Sequence, residues 1–147
     1  MKKNKRERIG IDNRLELLAA FFLLIVAIPA LIYGWNFMKD PTGEGLGFNT
    51  ELLASTPFDD FFIPGVVLFI AIGVLNMVAI SSILFYLKNA GWHTLFQGLM
   101  LIGWLSVQIL YGIRAENIQS PFYVFGAMLV VTGILMNVKG RRFRNNR

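Results

Sequence analysis

The sequence predicts an all-α fold: a four-helix bundle integral to a membrane, with both termini cytoplasmic and an ordered outer loop between helices 1 and 2. Charge is absent from four stretches, of 22 residues between Glu16 and Lys39, 27 between Asp60 and Lys88, 25 between Lys88 and Arg114, and 22 between Glu116 and Lys139. Twelve of the fourteen Lys and Arg fall on one side of those stretches, leaving Lys39 and Arg114 on the other. Residues 40–65 are by contrast polar, with five of the nine carboxylates and three of the five prolines.

A helix needs about 20 predominantly apolar residues to cross the hydrocarbon core. Helices are therefore expected at about 16–37, 58–87, 92–113 and 121–138, with basic tails at 1–14 and 139–147, in a single transmembrane domain, 1–147. Four strands could not close a barrel, and an open sheet edge leaves backbone groups unpaired in lipid. A soluble domain rarely combines 55% hydrophobic with 16% charged residues. The Lys and Arg excess marks the cytoplasmic side. It is read as a topology determinant beside anionic lipid, so no nucleic acid is expected as a partner.

The first stretch offers a passable signal cleavage site at Ile28-Pro29-Ala30, but its apolar run continues to Phe37. That exceeds a signal core, so an uncleaved anchor is expected. The outer loop then carries the outline of a calcium loop, with Asp40, Thr42, Glu44, Gly45 and Glu51 at its first, third, fifth, sixth and twelfth positions. Pro41 at the second position, Thr42 as a poor ligand and Gly47 at the eighth argue against it, so no metal is expected. Asn49 is placed to cap a short turn whose Leu52 and Leu53 dip toward the membrane.

The second helix is expected to open at Thr56-Pro57, with Thr56 as cap and Asp59 beside the free N–H groups. It is long for the hydrocarbon core, so its first turns, through Pro64-Gly65, stand out of the core or bend. "LKNAGWH" (87–93) is a tight turn that makes the second and third helices antiparallel neighbours, with Trp92 and His93 anchoring the interface. Ser120-Pro121 opens the fourth helix as Thr56-Pro57 opens the second. Gly73, Gly98, Gly103, Gly126 and Gly133 are expected at helix contacts, where small residues let backbones approach.

No Asp, Glu, Lys or Arg falls at mid-depth in any helix, which argues against a proton-coupled pump. There is no phosphate loop, zinc motif or nucleophile elbow, and no cysteine for disulfides or thiolate sites. Catalytic residues and cofactors are accordingly expected to be none. Asn76 and Thr132 are expected to hydrogen-bond between helices. The ligand-binding candidates are Asn36, Asn76, Trp104 and Gln108, with Asn36, Trp104 and Gln108 facing an outward cleft, and also Asp59 and Asp60. The two aspartates serve first as helix-terminus anions.

Asp40-Pro41-Thr42-Gly43, Leu46-Gly47, Leu52, Thr56-Pro57-Phe58, Asp60 and Ile63-Pro64-Gly65 form a recognisable string. It resembles the first outer loop of an uncharacterised family of small bacterial four-helix integral membrane proteins. A looser likeness to DoxX-type proteins is architectural and transfers no function. The resemblance implies the bacterial inner membrane and a loop of defined shape, and it supplies no catalytic residues. The expected protein is thus a non-enzymatic, multi-pass inner-membrane protein that binds a lipid, small ligand or protein partner through its outer face. The alternative is an oligomeric small-molecule or ion permeation protein. Expected partners are membrane lipids and a second copy or another membrane protein.

Overall fold

The computed structural model describes the backbone of residues 4–113 and 116–145, and the side chains of residues 14–113 and 119–139. Arg114 and, Arg14 and Lys139 apart, the side chains of both basic tails, which bear on the orientation, lie outside the described set. The chain is helical, with no strand among the described residues. Four segments are long and apolar enough to cross a membrane: Arg14–Lys39, Phe62–Leu84, Ala90–Leu110 and Gln119–Lys139.

Helix α1 (Asn4–Lys39) runs unbroken through Pro29, which removes one backbone bond to the Ile25 carbonyl. Two short 3-10 turns, Glu44–Leu46 and Thr50–Leu53, then occupy the loop. The second span has three parts: α2 (Phe62–Val67), a π-helical segment (Leu68–Val74) and α3 (Leu75–Leu84). Helices α4 (Ala90–Leu110) and α5 (Glu116–Asn145) complete the bundle.

Two helix starts differ from the sequence expectation. The second span begins at Phe62 rather than after Thr56. The Thr56 hydroxyl closes a turn of its own, accepting from Phe58 N–H at 3.2 Å and donating to the Leu53 carbonyl at 2.8 Å. Asp60, not Thr56 or Asp59, serves the helix start, its carboxylate accepting from Phe62 N–H at 2.9 Å. The span also stops at Leu84, where the chain turns through Tyr86 at a φ of 52°. The fourth helix starts at Glu116, a turn before the expected Ser120 cap, and carries Pro121 inside it. Gln119 supports the extension, because its side chain donates to the Ile113 carbonyl just past α4 at 2.9 Å and to Gln108 Oε1 within α4 at 3.0 Å.

In the bundle α1 packs on the second span and on α5, while α4 packs mainly on α5 and on α3. Glycines set the closest approaches. A Cβ on Gly34 of α1 would lie 2.7 Å from the Phe69 backbone nitrogen, and one on Gly133 of α5 only 2.5 Å from that of Leu95. Gly103 does not mark a contact, since a Cβ there would meet nothing within 4 Å. It points outward because the interior face of α4 is set by Gln97, Leu101 and Leu105.

The tight connection at residues 85–89 holds α3 against α4 at one end of the bundle. Toward the other end the second span and α4 separate: contact thins along the π segment and is absent at α2 among the described residues. That divergence opens space beneath the loop.

Candidate functional site

A cavity of about 280 Å³ fills the space between the diverging helices at the loop end. Val26, Ile72 and Leu101 close its floor and are 1%, 2% and 3% exposed. Ala30, Leu68, Leu105 and Phe122 form its walls, so all four spans contribute. Its most exposed lining residues are Tyr33, Leu52, Val107 and Tyr111, which mark where the cavity meets the surface.

The loop makes the roof, and local chemistry shapes it. Asn49 Oδ1 accepts from Glu51 N–H at 3.1 Å, capping the turn that turns Leu53 inward. Leu53 is 3% exposed and Leu52 48% exposed, and both line the cavity. Phe61 stacks on Phe37 of α1 with ring centres 4.8 Å apart, and Phe48 meets Phe37 edge-on at 5.4 Å. Gly43 permits this arrangement: its φ is 76°, and a Cβ there would lie 2.9 Å from the Phe61 ring. Phe61 N–H also donates to the Pro41 carbonyl at 2.9 Å.

Asp40 staples the start of the loop. Its carboxylate accepts from the Thr42 hydroxyl at 2.6 Å and from Gly45 N–H at 2.9 Å. Those bonds hold its carboxyl below the usual carboxylate range, the Thr42 hydroxyl contributing most. The staple is therefore present at neutral pH and is lost only as acid protonates Asp40 below that range. The oxygens that would begin a calcium loop are thus engaged with the loop itself.

Among the described residues the cavity lining includes no Asp, Glu, Lys, Arg or His. Three of its polar side chains, Thr56, Gln108 and Gln119, are bonded within the protein. Gln119 Nε2 donates to Gln108 Oε1 at 3.0 Å, and the Thr56 hydroxyl donates to the Leu53 carbonyl. Trp104 lines the cavity with its ring, while its Nε1–H is buried without a hydrogen-bond partner.

Of the six candidate residues, Trp104 and Gln108 are brought together at this cavity. Asn36 is not among its lining, and its side-chain nitrogen donates to the Ile32 carbonyl of its own helix at 2.7 Å. Asp59 and Asp60 are exposed and lie outside it. Asn76 is buried one turn below the floor residue Ile72. The bonds expected between helices at Asn76 and Thr132 run within single helices instead, to the carbonyls of Ile72 and Met128. In a helix the carbonyl four residues back is always in reach of such side chains.

Sequence reasoning missed Gln119 and the aromatic roof. Gln119 was hidden beside Ser120-Pro121, a pair that reads as a helix start. The roof had a signal in three phenylalanines, Phe48, Phe58 and Phe61, set in the loop beside Leu46, Leu52 and Leu53. Comparison of the chain with protein-family models, curated proteins and solved structures found no match.

Proposed function

We propose that the chain is a non-enzymatic multi-pass protein of a cytoplasmic membrane that holds an uncharged apolar ligand, a lipid chain or lipid-like molecule, beneath its outer loop. The observation that carries this reading is the lining: apolar side chains from every span and from the loop, with no charged group among the described residues. An apolar ligand gains about 25 cal/mol for each Å² it removes from water, whereas a charged group would lose its hydration with nothing to replace it. The volume, about 280 Å³, lies at the lower end of ligand pockets, so part of a lipid fits and a whole lipid does not. The exposed rim at Tyr33, Leu52, Val107 and Tyr111 lies where the outer interface would be, which lets a ligand enter from the bilayer. Permeation has less support, because Val26, Ile72 and Leu101 close the floor.

The test is native mass spectrometry of the detergent-extracted protein. Wild type is expected to retain a lipid-mass adduct, and Ala30→Phe, which puts a ring into the cavity, to lose it while melting cooperatively. An adduct kept in full by that variant would place the ligand elsewhere.

The orientation is part of the same proposal and rests on the twelve-to-two basic asymmetry. Asn49→Cys, in a chain without other cysteines, should label with an impermeant thiol reagent from the outer side. Labelling only from the cytoplasmic side would invert the topology.

A further inference from the structure

Two deeply buried side chains each carry an oxygen with nothing to bond. Asn76 is 1% exposed and Gln97 3% exposed, and among the described residues neither Asn76 Oδ1 nor Gln97 Oε1 has a hydrogen-bond partner. A buried carbonyl oxygen left in that state has lost its water and gained nothing in return. Turning the Asn76 amide over does not help, because its nitrogen already donates to the Ile72 carbonyl at 2.7 Å.

The two oxygens belong to one level of the bundle. Asn76 lies eight residues before the end of α3 at Leu84, and Gln97 seven residues after the start of α4 at Ala90. At a rise of about 1.5 Å per residue, their distances from the connecting turn differ by one residue's rise. The packing agrees. Ile72 and Leu101, one turn nearer the loop end, share a core cluster. Ala79, Ile83 and Ala90, on the turn side, share the next. Asn76 and Gln97 fall between these two shared layers, and both are buried in the interior.

Three hydroxyl donors on the surrounding turns are already committed. Thr94 donates to the Ala90 carbonyl at 2.9 Å, Thr132 to that of Met128 at 2.7 Å and Ser82 to that of Ala79 at 2.7 Å. The unpartnered Trp104 Nε1–H sits seven residues along α4 from Gln97, about 10 Å toward the loop end. A monovalent cation would also suit two carbonyl oxygens. It would, however, be a buried charge without a counter-charge, since the spans Phe62–Leu84, Ala90–Leu110 and Gln119–Lys139 contain no carboxylate. Water has two protons, fits a small polar niche and is a regular component of protein interiors.

We propose that Asn76 and Gln97 form a binding site for a single water molecule, which donates one proton to each amide oxygen and ties the second span to the third beneath the cavity floor. This is independent of what the cavity holds.

The decisive measurement is an experimental density map of the full-length wild-type protein in detergent, at a resolution that shows ordered water. A peak is expected within about 3.2 Å of both oxygens. Melting of variants gives a second readout. Asn76→Leu and Gln97→Leu should each lower the midpoint, by on the order of 5 °C. The double variant should fall little further than the worse single one, because either change already strands the shared water. Two amides bonded directly to each other in the map, or losses that add in the double variant, would overturn the proposal. So would a midpoint raised by sodium chloride but not choline chloride in wild type only, which would make the niche a cation site. Where a variant fails to fold, the wild-type map alone decides.

Discussion

Gly133→Leu should abolish cooperative folding, while Gly103→Leu, in the neighbouring helix, should leave the protein intact or slightly firmer. Both glycines sit inside helices and both look like packing residues in the sequence. The difference is what a side chain would meet. At Gly133 a Cβ would lie 2.5 Å from the Leu95 nitrogen and 2.8 Å from its Cα, which are backbone atoms that cannot rotate away. Helices α4 and α5 would have to move apart along their whole contact, the most extensive in the bundle. Overpacking of a core typically costs about 1–3 kcal/mol when side chains can adjust. With backbone in the way the cost should exceed about 3 kcal/mol, a large part of the stability of an ordinary domain. At Gly103 nothing lies within 4 Å, and replacing a helical glycine there should gain up to about 0.8 kcal/mol of helix propensity. Size-exclusion chromatography after stepwise heating separates the two. Equal melting of both variants would mean that α4 and α5 do not pack as described.

The second large effect is expected at the roof. Phe61→Ala should cost about 3–5 kcal/mol, as for other buried aromatic truncations, but the loss should stay local. Phe61 touches Phe37, Phe48 and the Gly43 backbone, and it belongs to a core cluster separate from the two that hold the spans together. Removing its ring leaves Leu53 and Phe48 without their central neighbour, so the loop should open while the bundle stays folded. Hydrogen exchange measured by mass spectrometry should show residues 41–58 losing protection and residues 94–105 keeping theirs. The lipid-mass adduct should fall in parallel. Unchanged protection in the loop would show that the aromatic stack does not hold it.

The spans were legible because charge is so costly in hydrocarbon that its absence alone outlines a helix. The gap from Asp60 to Lys88 contains the span Phe62–Leu84 with one residue to spare at its start and three at its end. Helix ends were less legible, because Thr56 and Ser120 can serve a turn as readily as a cap. An outward cleft was expected from Trp104 and Gln108, but the cavity's shape and its apolar roof were not legible. The shape comes from the angle between the second span and α4, and no local pattern records an angle. Trp104 and Gln108 were still found, since polar or amphipathic groups near the outer end of a span are few. Gly34 was overlooked for a related reason: in "LIYGW" it reads as part of an interfacial aromatic cluster, yet its backbone lies against Phe69.

The π segment has a consequence for how this chain can vary. Leu75 N–H reaches back five residues to the Ile70 carbonyl, where an α-helix would reach back four. The span therefore carries one residue more than the same turns of α-helix, and its two flanks are out of phase by about 100°. That offset lets Gly65 face α1 from one flank while Asn76, Ala79 and Ile83 face the interior from the other. Deleting one residue between Leu68 and Val74 would let the ladder close as ordinary helix, and half of the span would swing away from its partners. A substitution there changes only a volume. In this stretch the number of residues, more than their identity, is what descendants of the sequence must preserve.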